Sequence, residues 1–194
     1  MRLIRSVRYD GAHTLLFTTP LVAGCGRLVS GQRFDVLLEA IAKRPTTEAL
    51  LIGSGSAEGE LRRAAREFGI ADRVHFTGEV SDVPGLLPAA DILASPSPEE
   101  TYGLAIIELL AFGLPVVYAP CPALEERADA FGPCARKTEH SVECFVEAVD
   151  GVLAIRKFLA APARAPWPIV DVCEIQRIVS EIERLYSPDE EWSR

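Results

Sequence analysis

The stretch from Ala94 to Ala119, ASPSPEETYGLAIIELLAFGLPVVYA, decides how the chain is read. Ser95-Pro96-Ser97-Pro98 and the following Glu99-Glu100-Thr101 form an extended, turn-rich approach, because a residue before proline is pushed out of the helical region. Gly103 opens a run of helix-permissive apolar residues to Phe112, and Gly113-Leu114-Pro115 stops it. A strand, Val116 to Ala119, follows. Leu104, Ile107, Glu108 and Ala111 fall at i, i+3, i+4 and i+7 and share one face, while Ala105, Ile106, Leu109 and Leu110 make the other faces apolar. The helix is therefore expected to be buried all round, with a single carboxylate.

Outward from this helix the chain alternates strand and helix. Leu21–Cys25 reads as a buried strand and Gln32–Lys43 as a helix with Phe34, Leu37, Leu38 and Ile41 on one face. Strand Glu48–Ile52, helix Glu58–Phe68, strand Val74–Thr77, a short helix Val83–Ala89 and strand Asp91–Ala94 come next. Beyond the central helix and strand, helices are expected over about Ala123–Ala130 and Ser141–Phe158. Such spacing implies an α/β fold, a Rossmann-like doubly wound parallel sheet covered on both faces. Residues 1–20 carry no assignable pattern, residues 21–159 form the domain, and residues 160–170 read as a Pro/Ala linker. Residues 171–186 form a last helix with the stripe Val172, Ile175, Val179, Ile182 and Leu185, before a tail at 187–194. That stripe packs either on the same domain or on another surface.

An ionised carboxylate buried without a partner costs several kcal/mol, roughly 3–5 when a buried pair is broken. Glu108 must therefore be hydrogen-bonded, by an arginine or an amide of the fold or by a ligand. Glu100 precedes the helix start, where free N–H groups and the positive dipole end suit a phosphate. One carboxylate beside an anion site and one behind it suit a ligand with hydroxyls on both sides of a phosphate, as in a nucleotide sugar. Ligands of such sheets bind beyond the carboxyl ends of the strands. Gly26-Arg27 and Gly53-Ser54-Gly55-Ser56 both arrive there. Arg27 is either a planar fork for a diphosphate or half of a surface ion pair, and the glycines either line a ligand or make a tight turn.

EETYGLAIIE, a Glu-x7-Glu from Glu100 to Glu108 followed by LAFGLPVV, resembles the signature of GT-B retaining glycosyltransferases of family four, the glycosyl transferases group 1. Gly26-Arg27-Leu28 with FDVLLEA (34–40), LIGSG (51–55), RVHFTG (73–78) and Ala89-Ala90-Asp91 resemble the C-terminal, donor-binding half of that family in the same order. The resemblance covers about residues 21 to 155. It implies a nucleotide-sugar donor, Glu108 on the ribose, Glu100 on the donor sugar, and Arg27 with amides near Gly103 and Leu104 on the diphosphate. Backbone near Val80 would meet the base. Gly26, Gly53, Ser54 and Gly55 are weaker candidates, as is Gln32, where the family usually carries a lysine; neighbouring Arg33 is the basic residue that could reach back. A catalytic residue is not assigned, since the family's acceptor site lies on an N-terminal half that is not recognisable here. The chain is then a donor domain with a second Rossmann-like partner or self-association, a non-catalytic nucleotide-sugar-binding module, a subunit of a split enzyme, or a protein that keeps only the fold.

Composition narrows the classes further. A net charge of −8 argues against a nucleic-acid partner, which needs a basic face. The five cysteines never form Cys-x2-Cys, there is no Asp-x-Asp, and His13, His75 and His140 lack ligand spacing. Neither a metal nor a cofactor besides the nucleotide-sugar substrate is expected, and His75 reads as structural. Reduced cytoplasm is the simplest setting, with attachment at the membrane periphery the other, and no apolar run is long enough to span a bilayer. The segment up to Cys25 superficially resembles a lipoprotein leader, but Asp10, His13 and Pro20 interrupt it.

Overall fold

The computed structural model describes residues 5–9, 13–98, 106, 114–120, 135–139 and 141–158. A hairpin of β1 (Arg5–Tyr9) and β2 (His13–Phe17) precedes β3 (Leu21–Cys25), α1 (Phe34–Ala42), β4 (Glu48–Ile52) and α2 (Glu58–Glu67). β5 (Val74–Gly78), α3 (Val83–Leu86), β6 (Ile92–Ser95), β7 (Val116–Tyr118), β8 (Ala135–Lys137) and α4 (Val142–Phe158) follow. Strands β3 to β8 form a parallel sheet in the order β5-β4-β3-β6-β7-β8, the doubly wound arrangement expected from the alternation.

Both faces of the central strands are buried, which is why those strands read as continuous apolar blocks. Val22, Ala49, Leu51, Ile92, Ala94 and Val117 face α1, α2 and α4, where Phe34, Leu37, Leu38, Ile41, Leu61 and Phe145 close the core. Burying each of the larger side chains contributes about 1.5–3 kcal/mol. The alternate residues Leu21, Ala23, Leu50, Ile52, Leu93, Val116 and Tyr118 meet Val7 and Phe17 of the hairpin, Leu86, Leu87, Leu114 and Ile106. Gly24 makes room for α1: a Cβ there would lie 2.7 Å from the Phe34 ring.

Three boundaries differ from expectation. The helix expected from Gln32 begins at Phe34, because Ser30–Gln32 form a 3-10 turn and Arg33 adopts a left-handed conformation between the two. Residues 1–20, expected to be patternless, contain the antiparallel hairpin, with Val7 and Phe17 buried beneath it. The edge strand β8 was not expected at all. The helix expected over 123–130, the linker at 160–170 and the last helix with its stripe lie outside the described residues.

The amino ends of the strands carry a connected polar group. Arg5 pairs with Asp91 and donates to the Thr19 carbonyl, while Asp91 accepts from the Leu21 N–H at 2.7 Å. The Thr19 hydroxyl donates to Glu48, whose other oxygen lies 2.7 Å from His75 Nε2. The His75 ring meets Phe17 edge-on at 5.2 Å, in keeping with the structural role read for it. Nearby, Arg73 Nη1 donates to the carbonyls of Ile41, Arg44 and Thr47 at 3.2, 2.9 and 2.7 Å, fastening the turn between α1 and β4 to the start of β5. No described helix is long and apolar enough to cross a membrane.

Candidate binding crevice

Strand order reverses between β3 and β6, and in such sheets the loops leaving the carboxyl ends of the two flanking strands diverge to opposite faces and open a crevice. Gly26-Arg27 leaves β3 into it, and Pro96-Ser97 leaves β6. The buried Ser97 hydroxyl ties the two sides by donating to the Gly31 carbonyl at 3.1 Å.

The loops after β3, β4 and β5 lie side by side, joined through their backbones. The Gly26 N–H donates to Ile52 O at 3.0 Å, Leu28 N–H to Ser54 O at 2.9 Å, and Ala57 N–H to Leu28 O at 2.8 Å. Gly53 N–H reaches Gly78 O at 3.0 Å. This approach is too close for side chains: a Cβ on Gly53 would sit 2.1 Å from Gly26 O, and one on Gly55 2.3 Å from Leu28 O. Gly53 also has φ 130°, a conformation that favours glycine. The glycines after β4 thus join neighbouring loops, a tighter requirement than a turn.

Arg27 is exposed, and its guanidinium makes no hydrogen bond or ion pair to any described residue, so its surface-pair alternative has no counterpart among them. Gln32 is half-buried and folds back over the loop, its Oε1 lying 3.7 Å from where a Gly26 Cβ would be. Arg33 does not reach back to fill the charge missing at Gln32. Its guanidinium lies on Asp35, with Nε 3.0 Å from Oδ1 and Nη2 3.1 Å from Oδ2, and this hydrogen bonding raises its pKa above the ordinary arginine value. Val80 is half-buried and packs on the core beside the hairpin, just past the Gly53–Gly78 contact. A shallow open depression at the carboxyl ends of β6, β7 and β8 is lined by Arg33, Val36, Pro96, Ala119, Thr138, Glu139 and Phe145.

The crevice therefore brings together Gly26, Arg27, Gln32, Gly53, Ser54 and Gly55. Glu100, Gly103, Leu104 and Glu108 lie outside the described residues, although Ile106 between them is helical and buried on the hairpin side of the sheet. Sequence reading missed Ser97 as the tie across the crevice; a serine between two prolines after a strand was its only signal. Chemically, the described part offers a thin backbone surface with one uncommitted guanidinium, suited to a polar, anionic ligand. Among the described residues no three His, Cys, Asp or Glu side chains gather as metal ligands.

Comparison with known proteins bears on this site. The family model described as glycosyl transferases group 1 matches residues 19–154, more than half of the chain. A lipopolysaccharide core biosynthesis glycosyltransferase of Rhizobium meliloti is 36% identical over 98 residues, which are 50% of this chain and 29% of that protein. A GDP-mannose-dependent α-(1-6)-phosphatidylinositol dimannoside mannosyltransferase of Mycobacterium tuberculosis is 38% identical over 125 residues, 61% of this chain and 32% of its own length. The chain thus spans about a third of the length of these relatives. The crystal structure of Anabaena HepE with UDP and glucose superposes with a TM-score of 0.76 at 22% identity, covering 88% of this chain and 49% of that one. WaaG, a glycosyltransferase involved in lipopolysaccharide biosynthesis, gives 0.72 at 23% identity, with 88% and 48% covered. At these identities the two structures speak for the fold.

Proposed function

The chain belongs to the glycosyl transferases group 1 family, and from that premise we propose that it is the nucleotide-sugar-binding part of a retaining glycosyltransferase. The observation that carries this reading is the crevice at the strand-order reversal, where glycine-thin loops meet an exposed, uncommitted Arg27. In the proposed complex the diphosphate lies between Arg27 and the backbone near Gly103 and Leu104. Glu108 accepts hydrogen bonds from the ribose diol, Glu100 from the donor sugar, and backbone near Val80 meets the base. Arg27 and the helix start stabilise the charge that develops on the leaving diphosphate, as fixed donors aimed at it. The absence of Asp-x-Asp supports a metal-independent site, and the cysteine pattern supports a cytoplasmic or membrane-peripheral location.

The relatives named above support sugar transfer, and HepE, crystallised with UDP and glucose, supports a nucleotide sugar as the donor class. Transfer also needs a positioned acceptor, because effective molarities of about 10^5–10^8 M are lost when one reactant is free. The share of the relatives that this chain spans supports a second Rossmann-like domain or a second copy as the source of that site. The same share favours a second reading, in which the chain is the donor-binding subunit of a split enzyme or a binding module without turnover.

Calorimetric titration with a panel of nucleotide sugars tests the binding role. Glu108→Gln is expected to lose about 1.5–3 kcal/mol of affinity, the range for hydrogen bonds to a charged group, with the fold intact. Unchanged affinity, or loss of the fold, would assign Glu108 a structural partner instead. Transfer from radiolabelled donor to extract acceptors tests the rest: turnover by the chain alone would mean that a second copy completes the acceptor site, and binding without transfer would leave the chain a donor-binding part that needs another domain or subunit.

A further inference from the structure

The sheet leaves an opening beneath the crevice, and Ser97 closes it. β3 pairs with β4 as far as Cys25 with Ile52, and β6 pairs with β7 as far as Ser95 with Tyr118. Between β3 and β6 the register covers Val22–Ile92 and Ala23–Leu93, so that ladder ends two residues before β3 does. The two halves of the sheet are therefore not laced to each other at their carboxyl ends, and the loops leaving them have room to splay. On the β4 side the loop after β3 is fastened by the backbone bonds of Gly26 to Ile52, Leu28 to Ser54 and Ala57 to Leu28. On the β6 side the Ser97 hydroxyl meets it, donating to Gly31 O at 3.1 Å.

Both ends of that bond are held still. Pro96 and Pro98 flank the serine, and a proline fixes its own φ and biases the residue before it to extended backbone, so little freedom remains to be lost. Ser97 is 1% exposed, and a hydroxyl taken that far from water loses more when its bond opens than an exposed one would. The acceptor belongs to the 3-10 turn Ser30–Gln32, where the N–H groups of Gln32 and Arg33 donate to Val29 O and Ser30 O at 3.1 Å each. The Val29 N–H in turn donates to Arg27 O at 2.9 Å. A grip on Gly31 is thereby a grip on the backbone of Arg27.

We propose that Ser97 is a positioning residue, which holds the Arg27 loop at a fixed distance from the chain leaving β6 so that a ligand spanning the crevice meets both walls already in place. This deepens the reading given under Proposed function and rests on it. The hydroxyl is committed to Gly31, so Ser97 acts through the loop and not as a ligand group. When the bond is removed the walls move independently, a smaller fraction of molecules has both in register, and the apparent affinity falls by that fraction. The effect is felt at Arg27, the charged side chain on the wall that Ser97 holds.

The test is titration of the full chain with UDP, GDP and ADP at low and high salt, for the wild type, Ser97→Ala, Arg27→Met and the double variant, with a melting curve for each. Ser97→Ala should bind about fivefold more weakly at low salt whichever nucleotide the wild type takes, and the loss should shrink at high salt, where the charge of Arg27 is screened. In the Arg27→Met background the same change should cost nothing further, because the residue through which Ser97 acts is gone. Melting should stay within a few degrees of the wild type, since Gly31 is only half-buried and water can take up its carbonyl. Unchanged affinity in Ser97→Ala, or a loss that adds in full to that of Arg27→Met, would overturn the positioning role while sparing the proposed function. A Ser97→Ala chain that no longer folds would do the same, by assigning the bond to the fold itself. If none of the three nucleotides binds the wild type, the proposed function fails, and the positioning role with it.

Discussion

The two ends of the sheet use polar groups in opposite ways. At the amino ends, side chains are committed to one another: Arg5 to Asp91, Thr19 and His75 to Glu48, and Arg73 to three carbonyls. At the carboxyl ends of β3, β4 and β5 the backbone does the joining, through Gly26, Leu28, Gly53 and Ala57, and the Arg27 guanidinium is left exposed without a partner among the described residues. A fold that fastens one end with side chains and the other with peptide groups keeps the side chains of the second end available for a ligand. Stability and binding should then be separable by mutation, with amino-end changes altering the first alone.

Gly53→Ala should give the largest effect, roughly 3–4 kcal/mol, since it combines an unfavourable φ with a clash against Gly26 O. Urea denaturation checks the size, and nucleotide titration should show binding lost with it; a near-neutral result would mean that the loops are not joined as described. Arg73→Met comes next at about 1.5–3 kcal/mol, from three carbonyls losing a charged donor. Its nucleotide affinity should equal that of the wild type, and a matching loss of affinity would break the contrast between the ends. Glu48→Gln should cost about 1 kcal/mol, because the amide keeps one acceptor but loses the charge facing His75. The smallest effect belongs to Glu143, whose carboxyl is held below its ordinary pKa of 4.5 by the hydrogen bond from Lys43. A depressed folded-state value adds stability above the unfolded pKa, and that stability is lost as pH falls through the folded one. Glu143→Gln should therefore slightly flatten the acid limb of the melting temperature and change nothing near neutrality, because both side chains are exposed.

The parallel sheet was legible because its strands are buried on both faces and read as compact apolar blocks between helical ones. The hairpin was not, although Val7 lies between polar neighbours, Leu15-Leu16-Phe17 is a short apolar run and Asp10-Gly11 is a hairpin turn signal; the charged residues of the first strand broke the blocks that the reading relied on. β8 is three residues, two of them charged and exposed on the sheet edge, and such a strand has no hydrophobic signature. The late start of α1 was hidden because nothing in an arginine announces a left-handed backbone. In the crevice, Gly53 and Gly55 were visible as glycines, but the need for them comes from another loop that sequence spacing cannot bring alongside. The motif that made the family recognisable, Glu100 to Glu108, contributes Ile106 alone to the described residues.

Strand order also sets a timetable for folding. β3 meets β4 by pairing Leu21 with Glu48, 27 residues on, and meets β6 by pairing Val22 with Ile92, 70 residues on. Closing the longer loop costs about 0.8 kcal/mol more in chain entropy, so β3, β4 and β5 are expected to join before β6 arrives. The β3–β6 seam is then the last joint made and the first to open, and it is the seam beneath the crevice. A nucleotide bridging the two sides should slow unfolding far more than it speeds refolding. Stopped-flow traces with and without UDP would show this as a drop in the unfolding limb alone, whereas an equal shift in both limbs would mean that the crevice is already assembled at the barrier.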